Sequence, residues 1–164
     1  TGTMAADADS FRRLMGCFAT GVTIVTTAGN GRRRGMTANA VSSVSLDPLL
    51  VLVCVAQSAT TYQLLKQSGV FAVNILSATQ AEVSRRFAKR EVDERVLFDG
   101  LRTRFGRTGA PILEASLAFL DCRVWATYPG GDHDIFVGQV EEAGVLTEAE
   151  PLLFYRGAYR RIGA

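Results

Sequence analysis

Apolar positions recur at helical spacing in only a few short stretches and at strand spacing over most of the chain. From Asp9 to Ala19, Phe11, Leu14, Met15 and Phe18 share one face, which predicts a short amphipathic helix capped by Asp9 or Ser10 and stopped by Gly21. Val22 to Thr27 is almost wholly β-branched, and Gly29-Asn30-Gly31 offers the positive-φ residues of a hairpin turn. The second arm alternates small and hydroxyl residues from Gly35, crosses Asp47-Pro48, and continues as the buried-strand run Leu49 to Ala56. Ser58-Ala59-Thr60-Thr61 reads as the start of a helix with a Ser cap, running to Lys66 and closed by Ser68-Gly69. Val70 to Leu76 predicts a strand, Ser77 to about Ala88 a helix, and the charge-dense Lys89 to Gly100 a loop. Strands follow at Ser116 to Tyr128 and, after the turn Pro129 to Asp134, at Ile135 to Val140. Leu152 to Tyr155 pairs with the segment around Tyr159.

This makes six or seven strands and three short helices without β–α alternation. The expected fold is mainly β with short helices, an antiparallel barrel with helices at its ends. Residues 1–9 read as a disordered leader, with Met4 a candidate native start, and residues 10–164 as one domain. No G-x-G-x-x-G follows a strand, which argues against a Rossmann fold.

The stretch Gly35 to Thr61 carries the first chemical signal. A strand dense in hydroxyls and amides suits a flat polar heterocycle, and the helix N-terminus beyond it suits a phosphate. A phosphorylated, ring-bearing cofactor along the barrel wall fits the pattern, and so does an ordinary capped strand–turn–strand–helix unit.

Composition narrows the classes. Hydrophobic residues at 48% and charged ones at 21% describe a globular chain, and a net charge of +2 gives no footprint for nucleic acid. The run Arg32-Arg33-Arg34 reads as a solvated turn tip. No apolar run approaches the ~20 residues of a membrane span, and the N-terminus lacks a secretory pattern. Three scattered cysteines, Cys17, Cys54 and Cys122, and a single His make a zinc site improbable; the thiols read as buried core residues of a cytoplasmic protein. No G-x-S-x-G elbow is present. His133, in Gly-Gly-Asp-His-Asp, is either incidental to a solvated turn or a rim residue placed to touch a ligand.

Four segments, in order, carry a resemblance. Phe11 to Thr27, Gly35-Met36-Thr37-Ala38-Asn39-Ala40-Val41-Ser42-Ser43-Val44-Ser45 with Pro48, Gly131-Asp132-His133, and Pro151 to Tyr159 together resemble the short-chain flavin reductase family, over about residues 10 to 162. Members are reductase components of two-component flavin-dependent monooxygenases. The resemblance implies an FMN-binding type of split barrel, a homodimer, and reduction of FMN or FAD by NADH or NADPH for a partner monooxygenase. It implies that Thr37, Ala38, Asn39, Ala40, Val41 and Ser43 line the flavin ring and ribityl chain. Ser58, Thr60 and Thr61 would hold the flavin phosphate, Phe87 would flank the far end, and His133 with Tyr155 would seat the nicotinamide. Gln57 belongs to the same cofactor-binding segment but departs from the Lys or Arg of many relatives, so Lys89 or Arg90 is expected to supply the missing charge. No obligatory catalytic side chain and no metal are expected. The competing readings are a non-catalytic flavin storage or sensor protein, a split-barrel oxidase of a pyridoxine-type phosphate, and an interaction domain without cofactor.

Overall fold

The computed structural model describes residues 2–163; Thr1 and Ala164, the outer ends of the predicted leader and domain, lie outside the described residues. The first helix, α1 (Ala8–Met15), starts within the predicted leader. Its cap is Asp7, whose carboxylate accepts the Ser10 N–H at 2.9 Å, whereas the predicted caps Asp9 and Ser10 are both helical. The helix ends at Met15, short of Phe18, and its apolar face is turned outward: Phe11 is 64% and Leu14 54% exposed.

Strands β1 (Thr20–Gly21), β2 (Thr23–Gly29) and β3 (Arg32–Ala38) follow. Asn30 and Gly31 take φ of 54° and 71° in the β2–β3 turn, as the sequence predicts. Next come β4 (Val41–Leu46), β5 (Leu49–Ala56), α2 (Thr60–Ser68) and β6 (Val70–Ile75). Gly69, at φ 68°, closes α2 with its N–H on the Leu65 carbonyl. The chain continues through α3 (Ala81–Phe87), α4 (Glu94–Leu97), β7 (Thr103–Phe105) and β8 (Pro111–Leu113). It ends with β9 (Ala118–Gly130), β10 (His133–Val145), β11 (Leu153–Tyr155) and β12 (Ala158–Arg160).

Every strand pairing is antiparallel, and the main sheet runs β3-β2-β6-β9-β10-β5-β4. Its two edge strands, β3 and β4, are joined by only Asn39 and Ala40. A two-residue link cannot cross a flat seven-stranded sheet, because neighbouring strands lie about 4.8 Å apart. The sheet must therefore curl until its edges meet. β3 and β4 do not pair, so the barrel stays split along that seam. The interior packs Val25, Val53, Val55, Leu65, Phe71, Val73 and Phe136. A second cluster, with Ile24, Leu76, Phe87, Phe98 and Leu113, lies under α3 and α4.

Several expectations fail for local reasons. Ser77 forms an isolated bridge with Pro151, and α3 begins only after Gln80 has folded back to accept the Ser77 N–H. β7 and β8 are too short to show a period, and α4 is a single turn inside the charged loop. The arginine run is no solvated tip. Arg33 lies over the Phe98 ring at 4.2 Å and pairs with Glu94 at 3.4 Å, while Arg34 donates to the Val92 carbonyl at 2.7 Å. Together they pin the charged loop against β3. Of the three cysteines only Cys122 is fully buried, and burial pushes its thiol up to about 12; Cys54 is half-buried and Cys17 exposed.

Candidate functional site

The N-terminus of α2 is the centre of the site. Its cap position is Ala59, whose methyl group cannot accept a hydrogen bond, and no side chain caps the helix. The amides of Thr60 and Thr61 find no acceptor among the described residues. Orphan N–H groups at the positive end of a helix dipole suit an anion, and the predicted Ser cap is not made. The helix is held there because Tyr62, Leu64 and Leu65 bury against the barrel, leaving Ser58 and Thr60 exposed.

A cavity of about 250 Å³ opens at this terminus, lined by Gly35, Thr37, Ser58 to Thr61, Phe87 and the 88–91 segment. Lys89 and Arg90 both line it, and neither forms an ion pair among the described residues. Hydroxyls, unpaired amides and two free cations thus converge on one pocket. Its back wall is the Phe87 ring, buried and set edge-on to Phe98 at 5.3 Å. Gly35 admits that ring: a Cβ at residue 35 would stand 2.7 Å from Phe87 Cε1.

Thr37 and Ala88 also line a second cavity of about 330 Å³, which adjoins the first. Ala38, Asn39, Val22, Ser84, Phe154 and Tyr159 complete it. The Thr37 hydroxyl is already committed, donating to the Ser84 carbonyl at 2.6 Å, so its contribution there is shape. Ala40, Val41 and Ser43 line neither cavity; they lie on the open seam, where Ala40 and Ser43 are exposed. The amides of Asn39 and Ala40 find no acceptor among the described residues.

Tyr155, the tyrosine expected beside His133, is not brought to it. It pairs with Ala158 in the three-stranded sheet, while His133 opens β10, and no hydrogen bond or ring contact joins them among the described residues. Strand parity explains the difference. Phe154 and Tyr159 are cross-strand partners on one face, and that face lines the second cavity. The Tyr159 hydroxyl shares a 2.6 Å hydrogen bond with Ser84. Alternation along β11 puts Tyr155 on the face opposite Phe154, and the β11–β12 register brings Tyr159 to Phe154.

His133 is half-buried at the tip of the β9–β10 hairpin, with Nδ1 2.7 Å from Asp132 Oδ1. That hydrogen bond holds the Asp132 carboxyl below its ordinary range. Gln57 faces the same turn and not the α2 pocket. Its side-chain amide donates to the Gly131 carbonyl at 3.3 Å and to Asp134 at 3.0 Å. Asp134, a turn residue by its sequence context, is buried. The Tyr62 hydroxyl donates to it at 2.6 Å and, with Gln57, holds its carboxyl below the ordinary value against the opposing effect of burial. The same contact raises the Tyr62 phenol.

Comparison with known proteins finds relatives over nearly the whole chain. The profile described as "Flavin reductase like domain" matches residues 15–163. The NADH-dependent FAD reductase of Streptomyces globisporus is 42% identical over 160 residues, covering 94% of this chain and 86% of that protein. The reductase subunit HsaB of a flavin-dependent monooxygenase from Mycobacterium tuberculosis is 39% identical over 158 residues, 95% of this chain and 83% of HsaB. The solved structure of the S. globisporus NADH:FAD oxidoreductase SgcE6, in complex with NAD and FAD fragments, superposes with a TM-score of 0.92 at 41% identity, covering 99% of this chain and 98% of that one.

Proposed function

The chain belongs to the flavin reductase like domain family, and from that premise we propose that it is an NADH-dependent flavin reductase supplying reduced FAD to a partner monooxygenase. The observation that carries the reading is the uncapped α2 N-terminus facing free hydroxyls and the unpaired Lys89 and Arg90. That set of donors and cations fits a flavin phosphate, with Glu91 the one acidic residue on the same wall.

Bound flavin supplies the redox chemistry, its ring taking up the hydride that NADH gives up. The protein binds, orients and excludes water. Ser58, Thr60, Thr61 and the α2 amides hold the phosphate, with Lys89 and Arg90 neutralising its charge. Gly35, Thr37 and Phe87 shape the wall; the free amides of Asn39 and Ala40 donate to the ring's polar edge, where they favour the negative charge that reduction brings. His133 seats the nicotinamide, and no side chain is needed as acid or base. Oriented binding of two reactants is worth on the order of 7–11 kcal/mol at best.

The protein acts as a homodimer. Support comes from apolar surface that a monomer would leave in water: Phe11, Leu14 and Met15 on α1, Val44 and Leu46 on the edge strand β4, and Leu49 at the start of β5. The partner copy would cover the seam that carries Ala40 and Ser43. Sedimentation is expected to give a dimer, and Phe11→Glu with Leu14→Glu to give monomers with weakened flavin binding; a wild-type monomer would contradict this. The reading carries a cytoplasmic location with it, supported by three free thiols; no described helix is long and apolar enough to cross a membrane.

The test is steady-state turnover with NADH or NADPH paired in turn with FMN or FAD. NADH with FAD is expected to be the preferred pair. Flavin binding without turnover in any pair would return the protein to a storage or sensor role.

A further inference from the structure

The turn that carries His133 and the start of α2 are tied together by one set of bonds. The Gln57 N–H donates to the Asp132 carbonyl at 3.0 Å, and its side-chain amide donates to Gly131 and Asp134. Asp134 Oδ2 accepts from the Tyr62 hydroxyl, two residues beyond Thr60. In β10 successive side chains point to opposite faces, so half-buried His133 and buried Asp134 leave the strand on opposite sides. The Tyr62 ring is itself fixed, edge-on to Phe136 at 6.0 Å, with Lys66 at 5.6 Å. The residues bracketed by this clamp, Ser58 to Thr61, are those assigned to the flavin phosphate. The residue bracketed on the other side is His133.

We infer that Asp134, through Gln57 and Tyr62, is a positioning residue that fixes the His133 nicotinamide seat relative to the flavin-phosphate helix. This rests on the reading of His133 as the nicotinamide seat. NADH must find its His133 seat already in place beside the held flavin, so a rigid tie between the two elements preorganises NADH binding without touching either ring. The same geometry gives Gln57 its work: its amide is spent on the turn, which leaves phosphate charge to Lys89 and Arg90.

The test compares Asp134→Asn, Tyr62→Phe, His133→Ala and the His133→Ala/Asp134→Asn double variant in steady-state turnover with NADH and FAD, with thermal melting alongside. Asp134→Asn and Tyr62→Phe are each expected to raise KM for NADH about fivefold with kcat within about twofold. His133→Ala is expected to raise the same KM about tenfold. The double variant should match His133→Ala alone, because the tie acts through His133. A purely structural role would lower the melting temperature of Asp134→Asn and leave KM for NADH unchanged, which overturns the inference, as would additive effects in the double variant. If His133→Ala leaves KM for NADH unchanged, the nicotinamide seat itself fails and the inference with it. If His133→Ala raises KM and Asp134→Asn does not, the inference alone fails.

Discussion

A Gly35→Ala variant is expected to lose about 1–3 kcal/mol of stability and to bind flavin at least about tenfold more weakly. The added methyl would stand 2.7 Å from Phe87 Cε1 and 2.8 Å from Cδ1, with Thr26 Cγ2 behind it at 3.3 Å. Phe87 cannot swing away cheaply, because its ring is buried and stacked edge-on against Phe98, which in turn lies under Arg33. Relief therefore comes from shifting α3 and the 88–91 segment, which carries Lys89 and Arg90 at the mouth of the pocket. Thermal melting and flavin fluorescence titration read the two effects separately. Loss of stability with unchanged flavin affinity would show that the Phe87 wall does not bound the flavin site.

The second large effect concerns the α2 N-terminus. Replacing Ser58 and Thr60 together by Ala removes two exposed hydroxyls that have no hydrogen-bond partner among the described residues, so folding should be little altered. A hydrogen bond to a charged group is worth about 1.5–3 kcal/mol, and two at the lower end amount to about a hundredfold in KM for FAD. Riboflavin has the same ring and no phosphate, so its turnover should be nearly equal in the wild type and the double variant. An equal loss with riboflavin would place these hydroxyls on the ring and not on the phosphate.

What could be read from the sequence is what depends on local chemistry. Asn30-Gly31 turns where positive φ demands it, and Gly69 ends α2 by the same logic. Ser58, Thr60 and Thr61, expected from the helix start, and Phe87, Lys89 and Arg90, expected only from the family resemblance, line one pocket. What escaped depends on partners distant in the chain. Tyr159, not Tyr155, lines the groove because cross-strand register sets which face β12 shows. Arg33 and Arg34 look solvated until Glu94, Phe98 and Val92 arrive from the charged loop. Asp134 reads as one more polar turn residue, and only the return of Tyr62 from α2 makes it a buried, ionised acceptor. Gln57 reads as a weakened phosphate ligand when seen beside relatives; the fold shows its amide committed to the neighbouring turn.

The central claim is that this protein moves reducing equivalents from NADH to a flavin held at the α2 terminus. The most direct measurement is anaerobic mixing of the protein with FAD and NADH, following the near-ultraviolet band of NADH and the visible band of the flavin together. The two bands should disappear in equal molar amounts and at a rate far above that of the same mixture without protein. Quenching of flavin fluorescence on binding, with both bands persisting at the uncatalysed rate, would contradict it.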